Sequence, residues 1–430
     1  MATRGKDVGS DEATPEPAPA DEAELRCAVY PSAELQKDPY GFFAYLRERA
    51  PIYKVPGRGE TYILSRHEDI RHVARHPESF SSATGLFADF KTGSIAQAPD
   101  RPSSPPSTSF LGTDPPEHTR RRKRAIRSFT PGRLRGLAPD IARLADGLID
   151  ELIARGRCDL VAEFALPLAA LVICEVLGVP PADRDQLLYF SKGEGSGRVY
   201  LSRAEQRGEE KRSAEMGAYI ERHLRDRLTR PRKDGLTELI ERQIEEEGRA
   251  DIEHLVPDAT ILLSAGLTTT AYMVTSALCL LLDRCEEMTA CRADPAVIDR
   301  TLEETLRLEA PVQWTSRRVV ERTELHGVRL PEGALLLLAY GAGNRDAAKF
   351  ECPNTFDSGR SNLKEHVAFG YGPHYCLGAP LARLEGRIAI ERLLGRTAEI
   401  RLAPAECERQ YVRSMTMRGL KHLYVEIVPA

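Results

Sequence analysis

The chain has 430 residues, of which 42% are hydrophobic, so it is too long and too apolar for a disordered protein or a disulfide-stapled miniprotein. Its 60 Lys and Arg residues nearly balance its 64 Asp and Glu residues, and the net charge of -4 provides no global basic surface for nucleic acid. Nine cysteines without a Cys-x-x-Cys pair, and no basic-then-apolar leader, favour a reducing, cytoplasmic location.

Composition along the chain separates a tail from one folded domain. Residues 1–24 carry seven acidic and two basic residues among Ala and Pro, which predicts a disordered acidic tail, and 25–430 are expected to form a single domain. Ordered structure should begin with an amphipathic helix at Pro39. Two strands follow near 52–55 and 61–64, and then a Gly-, Ser- and Pro-rich loop over 81–113. Helical patterns extend over 117–310, and short strands are expected over 317–338 and in the C-terminal HLYVEIV. The pattern predicts a mainly α fold with a smaller β part.

One uncharged segment, Ala259–Leu282, is long enough to cross a bilayer. It contains seven Ser and Thr residues and is flanked by Asp258 and Asp283, which favours a central helix buried in a globular domain and no membrane contact. Gly266 and the hydroxyls of 268–270 predict a locally opened, hydroxyl-lined groove in this helix.

A second segment carries the clearest chemical signal. The run Phe369-Gly-Tyr-Gly-Pro-His-Tyr-Cys-Leu-Gly378 allows a tight loop and places Cys376 at the start of a helix, where N–H groups and the dipole stabilise a thiolate. Such a thiolate is a nucleophile or a soft metal ligand; the alternative is an ordinary buried cysteine. A dinucleotide-binding loop is excluded because Tyr375 occupies the last glycine position.

This run matches Phe-Gly-x-Gly-x-His-x-Cys-x-Gly in full and resembles the cytochrome P-450 haem-thiolate monooxygenases of the soluble bacterial type. The resemblance extends over most of 38–430. It implies the P-450 fold, with haem (heme b) buried between the long central helix and the helix after the Cys loop, Cys376 as axial iron ligand, and dioxygen as co-substrate.

The resemblance also implies roles for residues outside the loop. Glu304 and Arg307 look like the family's Glu-x-x-Arg pair, which joins the segment 356–360 and has a structural role; spacing alone would describe a surface pair. The residues implied to contact haem, mainly its propionates, are His118, Arg122, Arg318, His374, Phe369 and Gly378. The other basic residues of 120–124, Arg121 and Arg124 among them, are expected to form a face for an acidic redox partner.

The central helix departs from the family pattern. Ala265, Gly266 and Thr269 resemble the family's catalytic oxygen-binding element, but Thr268 stands where an acid is usual, and a hydroxyl cannot supply a proton near neutral pH. Three routes remain open: a relay through water, Thr268 and Thr269; a polar group of the substrate; or one-electron oxidation, such as phenol or aryl coupling, without oxygen insertion.

The family's substrate pocket corresponds to 85–112, 187–230, 312–316 and 414–416, with Val312, Trp314 and Met415 as candidates; for Trp314 core packing is the alternative. The favoured function is monooxygenation of a small-molecule specialised metabolite. Because no flavin or nicotinamide fingerprint occurs, ferredoxin and ferredoxin reductase are the expected electron donors. A haem-based sensor, and a zinc protein using three cysteines of 279–291, are the weaker alternatives.

Overall fold

The computed structural model describes residues 35, 38–83, 109–192, 203–403, 409–412, 414 and 416–430. The predicted acidic tail, most of the predicted loop over 81–113, and the pocket candidate Met415 lie outside these residues.

Helices account for most of the described chain, as the sequence predicted. They are α1 Tyr40–Arg49, α2 His67–Arg75, α3 Glu117–Ala125, α4 Pro131–Arg155, α5 Leu166–Leu177, α6 Arg184–Ser191, α7 Arg203–Thr229, α8 Gly235–Glu247, α9 Ile252–Leu282, α10 Cys285–Ala293, α11 Pro295–Leu308, α12 Tyr340–Gly343 and α13 Ala379–Arg396. The large hydrophobic core lies among α4, α5, α7, α9, α11 and α13.

The strands form a smaller part beside the helices. They are β1 Ile52–Lys54, β2 Thr61–Leu64, β3 Phe80–Ser81, β4 Arg157–Asp159, β5 Trp314–Val319, β6 Thr323–Leu325, β7 Val328–Leu330, β8 Leu335–Ala339, β9 Thr397–Leu402 and β10 Tyr424–Pro429. Among the described residues the sheets have the orders β1-β2-β8-β5-β3, β4-β10-β9 and β6-β7. The all-apolar β8 is buried along its length because it pairs with β2 on one side and β5 on the other.

Helix α9 is the central element. Asp251 begins it, its side chain accepting a hydrogen bond from the His254 backbone N–H, and the helix contacts α5, α7, α11 and α13. Among the described helices it alone is long and apolar enough to cross a membrane, but 72% of its most apolar window is buried inside the fold, which fits the predicted core helix.

The predicted competition of a hydroxyl for a backbone carbonyl is present in α9. The helix is continuous through Gly266 and 268–270, and the Thr269 hydroxyl donates to the Ala265 carbonyl, four residues back, at 2.7 Å. Gly266 has a packing role, since a Cβ there would lie 3.0 Å from Ile173 of α5. α9 and α5 are therefore in close contact at Gly266, and a local opening of the helix here stays a prediction.

Helix α13 positions the loop before it. It packs on α4, α9 and α11. The helix comes close to α9 and α11 at Gly386, where a Cβ would lie 2.6 Å from the terminal methyl of Met273 and 3.2 Å from Leu302. The loop over 369–378, which precedes α13, lies across a cavity from α9.

Candidate active site

A cavity of about 610 Å³ lies between α9 and the loop over 369–378. Cys376, Phe369, His374 and Gly378 line it on the loop side, and α7 contributes further wall residues. The cavity therefore joins the cysteine motif to the unusual segment of α9, two features separated by about a hundred residues in the sequence.

Backbone geometry fixes the Cys376 loop. Gly370 and Gly372 both have φ of +71°, and a Cβ on Gly372 would lie 2.4 Å from the Ala74 carbonyl oxygen of α2, so both positions require glycine. The Cys376 N–H donates to the Phe369 carbonyl at 2.8 Å, which closes the loop. The cysteine side chain is held at the N-terminal end of α13.

The surroundings of Cys376 have opposing effects on the pKa of its thiol. Burial raises the pKa of its thiol, whereas backbone N–H groups of Gly378 and Ala379 and the charge of Arg122 act to lower that pKa. A partly buried sulfur that lines a cavity and accepts backbone hydrogen bonds is suited to bind a soft metal as a thiolate.

His118 and His374 lie side by side, and His374 lines the cavity. Three of their four ring nitrogens lack a hydrogen-bond partner among the described residues. The rings of His118 and His374 lie 3.9 Å apart between centroids, and both ring nitrogens of His118 and Nε2 of His374 are buried without a partner. Burial, followed by the charge of Arg122, lowers the pKa of His118 to about 4. Buried polar atoms of this kind need a partner from outside the chain, because an unsatisfied donor is costly.

The arginine beside the histidine pair is Arg317, and the predicted Arg318 is not. Adjacent residues of β5 face opposite sides of the strand. Arg317 is buried, and its charge lowers the pKa values of both histidines, whereas Arg318 donates to the Gly333 carbonyl at 3.0 Å. Burial in turn lowers the pKa of Arg317.

These groups fit the haem that the loop motif implies. A haem has two carboxylates on one edge, and the unpartnered ring nitrogens of His118 and His374 lie with the buried Arg317 and with Arg122, which donates to the Tyr375 carbonyl at 2.6 Å. Cys376, a soft donor, faces the same cavity. The donor set therefore suits an anionic porphyrin with a thiolate-bound iron.

The wall formed by α9 separates the two predicted threonines. Ala265, Gly266 and Thr269 line the cavity, together with Thr260 and Ser264. Thr268 is not part of the lining and is only 3% exposed, because it lies on another face of the helix. Thr268 therefore does not contact the cavity directly, and its predicted part in a proton relay with Thr269 stays a prediction.

The prediction that Arg121 and Arg124 belong to an exposed basic face is wrong. Arg121 is buried and pairs with Asp258 of α9 at 2.7 Å, and Arg124 is buried and pairs with Glu246 at 2.7 Å and with Glu247 of α8. These arginines attach α3 to its neighbouring helices and present no charge to a partner.

The predicted structural pair of Glu304 and Arg307 lies outside the cavity. Glu304 and Arg307 are both completely buried and bond each other at 2.7 Å. Arg360 donates to Glu304 at 3.0 Å, so the pair reaches the segment 356–360, as the family resemblance implied.

Val312 and Trp314 line the cavity, as the pocket prediction required, beside Thr416 and Met417 of the C-terminal turn. Sequence reasoning missed three charged wall residues, Glu209, Arg212 and Glu385. Burial raises the pKa of Glu385 to about 8. No local pattern distinguishes these residues from solvent-exposed helical charges.

Comparison with known proteins finds relatives of one family. The family model described as cytochrome P-450 matches residues 200–397. The chain is 33% identical to 6-deoxyerythronolide B hydroxylase of Saccharopolyspora erythraea, over 92% of this chain and 98% of that protein, and 33% identical to mycinamicin IV hydroxylase/epoxidase of Micromonospora griseorubida, over 88% and 93%. The structure resembles substrate-free cytochrome P-450 CYP150A6 of Mycobacterium marinum, with a TM-score of 0.82 and 30% identity over 94% of this chain and 100% of that one.

Proposed function

Because the chain belongs to the cytochrome P-450 family, and is therefore a haem-thiolate enzyme that uses dioxygen, we propose that it inserts oxygen into a small-molecule specialised metabolite. The observation that supports this most directly is that Cys376 and Thr269 line one cavity. Bacterial relatives with this family's fold include a hydroxylase and a hydroxylase/epoxidase, which favours oxygen insertion over other oxidations.

The proposal assigns the cofactor contacts to named residues. Cys376 is the iron ligand, and His118, His374, Arg122 and Arg317 bind the haem carboxylates. Haem bound in this way supplies the activation of dioxygen. The backbone N–H groups of Gly378 and Ala379 moderate the negative charge of the sulfur.

Thr269 is the proposed proton-handling residue of α9. Its hydroxyl donates to the Ala265 carbonyl, so its oxygen lone pairs are free to accept a hydrogen bond in the cavity. Since Thr268 lies away from the cavity, protons must pass from water or from a substrate group to the Thr269 oxygen.

A second candidate function is one-electron coupling of a phenol or aryl substrate without oxygen insertion. The observation that favours it is that the cavity-facing groups of α9 around the catalytic position are hydroxyls, none of which supplies a proton near neutral pH. Product analysis under ¹⁸O-labelled dioxygen separates the two: label in the product supports insertion, and an unlabelled coupled product supports the alternative.

Electrons are proposed to come from a ferredoxin and its reductase in the cytoplasm. A redox partner of some kind is needed because the chain has no flavin or nicotinamide fingerprint. Reconstitution with a ferredoxin, its reductase and NADPH tests this: reduction of the haem under carbon monoxide that requires both proteins supports the assignment.

The cofactor assignment is tested by spectroscopy. Reduced wild-type protein under carbon monoxide should show the absorption band of a thiolate-ligated haem, and Cys376→Ala should lose that band. Cys285→Ala, which changes an exposed cysteine of α10, is the matched control and should retain the band. A colourless wild-type protein after haem supplementation, or nitrogen ligation, would overturn the proposal.

A further inference from the structure

Helix α7 brings a pair of opposite charges to the wall of the cavity. Glu209 and Arg212, one helical turn apart, form an ion pair, and the side chains are only 14% and 22% exposed. Both residues line the cavity, beside Ser213 and Met216 of the same helix. Since α7 packs on α6, α8 and α9, this pair belongs to the wall that the helices form opposite the Cys376 loop.

The ion pair leaves the Nε donor of Arg212 without a partner among the described residues. Its Nη2 donates to Glu209, whereas its Nε is buried and has no acceptor among the described residues. The Thr260 hydroxyl on α9 is a second buried group of the cavity wall without a partner in the described chain. Because both residues line the cavity, an atom of a bound ligand is the available partner for each group, and for the Arg212 Nε donor this atom must be an acceptor.

The charge of the pair restricts what this acceptor can be. Glu209 neutralises Arg212, so a carboxylate placed against Arg212 would also lie near the Glu209 carboxylate and be repelled by it. A carbonyl oxygen accepts the same hydrogen bonds without a charge. The remaining wall near α7, which includes Phe190, Ile173 and Met216, is apolar.

We propose that Arg212 is a specificity-determining residue, which binds a neutral carbonyl oxygen (ketone, ester or amide) of an otherwise apolar substrate. This inference rests on the proposed function, because it describes the substrate of the same cavity. Glu209 has a supporting role: it orients the guanidinium through Nη2 and removes its preference for anions.

The test compares three probes of one carbon skeleton, cyclooctane, cyclooctanone and cyclooctanecarboxylate, whose dissociation constants are measured from the haem absorption change. Arg212→Met should weaken binding of the ketone about tenfold, which is the effect of losing one hydrogen bond to a charged donor, and that of the hydrocarbon less than twofold. Arg225→Met, which breaks a similar but exposed pair with Glu221 on α7, is the matched control and should leave both constants unchanged.

A second variant tests the role of charge. Glu209→Gln leaves Arg212 with its positive charge unpaired by Glu209, so binding of the carboxylate should strengthen about tenfold relative to that of the ketone. Equal weakening of ketone and hydrocarbon by Arg212→Met, or no change in either, would overturn the inference, as would tighter wild-type binding of the carboxylate than of the ketone. The thiolate carbon monoxide band is recorded for every protein: its absence from the wild type contradicts the proposed function, whereas its presence with unchanged ketone binding contradicts only the role of Arg212.

Discussion

Glu304 and Arg307 lie one turn apart on α11 and form a completely buried ion pair, with Arg307 Nη2 2.7 Å from Glu304 Oε1 and Nε 2.8 Å from Oε2. The guanidinium of Arg307 also donates to three backbone carbonyls of the loop after α12, those of Asn344, Pro353 and Thr355. Because this loop leads to the Cys376 segment, the pair connects α11 to the part of the chain that carries the proposed iron ligand.

Removal of Arg307 should destabilise the protein strongly. Arg307→Met leaves a buried carboxylate short of its main partner and removes a donor from three carbonyls, of which, within the described chain, only that of Thr355 keeps a second donor, Arg360. The free energy of unfolding should therefore fall by about 3–5 kcal/mol. Urea unfolding measures the change. The control Arg225→Met breaks an exposed pair and should cost no more than about 0.5 kcal/mol. A loss below about 1 kcal/mol for Arg307→Met would show that the buried pair is not essential to the fold.

Arg317 and Arg318 should differ in their effect on haem retention. Arg317 lies by the histidine pair, so Arg317→Met removes a charged donor from the proposed carboxylate site and should increase the rate of haem transfer to apomyoglobin about tenfold. Arg318→Met changes a residue that bonds to Gly333 and should leave the rate within about twofold. A faster loss from the Arg318 variant than from the Arg317 variant would contradict the assignment.

The dense loop motif made several site residues predictable from the sequence. Backbone geometry requires Gly370 and Gly372, and the motif that contains them identified Cys376. Glu304 and Arg307 were recognisable from their i, i+3 spacing on a helix. The mainly α fold followed in the same way, from periodicity and from the uncharged central segment.

Long-range contacts made the remaining residues unpredictable. Arg121 is buried because Asp258, 137 residues away, lies opposite it, and nothing in the local basic run indicates this. Glu209–Arg212 and Glu221–Arg225 are similar pairs on one helix, yet the first lines the cavity and the second is exposed. Only the packing of α7 on α9 distinguishes them.

Glu303 should make the stability of the fold depend on pH below about 4.5. Burial alone would raise the pKa of this carboxyl, but hydrogen bonds from His366 at 3.2 Å and from Arg383 outweigh burial and hold the pKa at about 2. A carboxyl whose pKa is lower in the folded state stabilises the fold above its unfolded value of 4.5, and this contribution is lost as the pH falls to about 2.

Glu303→Gln is the test of this dependence. The variant should be less stable than the wild type by up to ~3 kcal/mol at pH 7, and the difference should shrink as the pH falls from 4.5 towards 2. Unfolding by urea at a series of pH values measures it. Glu332→Gln changes an exposed glutamate and should follow the wild-type profile. A constant difference between Glu303→Gln and wild type at all pH values would rule out the ionised carboxylate as the source.

Thr269 and Thr268 should differ in their effect on the coupling of electron use to product formation. Thr269 lines the cavity with its oxygen available to accept a hydrogen bond, whereas Thr268 is buried on another face of α9. Thr269→Val keeps the shape of the side chain and removes the hydroxyl that is proposed to pass protons. With a reconstituted ferredoxin system and a bound ligand that is oxidised, the hydrogen peroxide released per NADPH consumed should rise about tenfold in this variant. Thr268→Val should leave this ratio within about twofold, because its hydroxyl does not reach the cavity; an equal rise in both variants would show that protons reach the site through Thr268 as well.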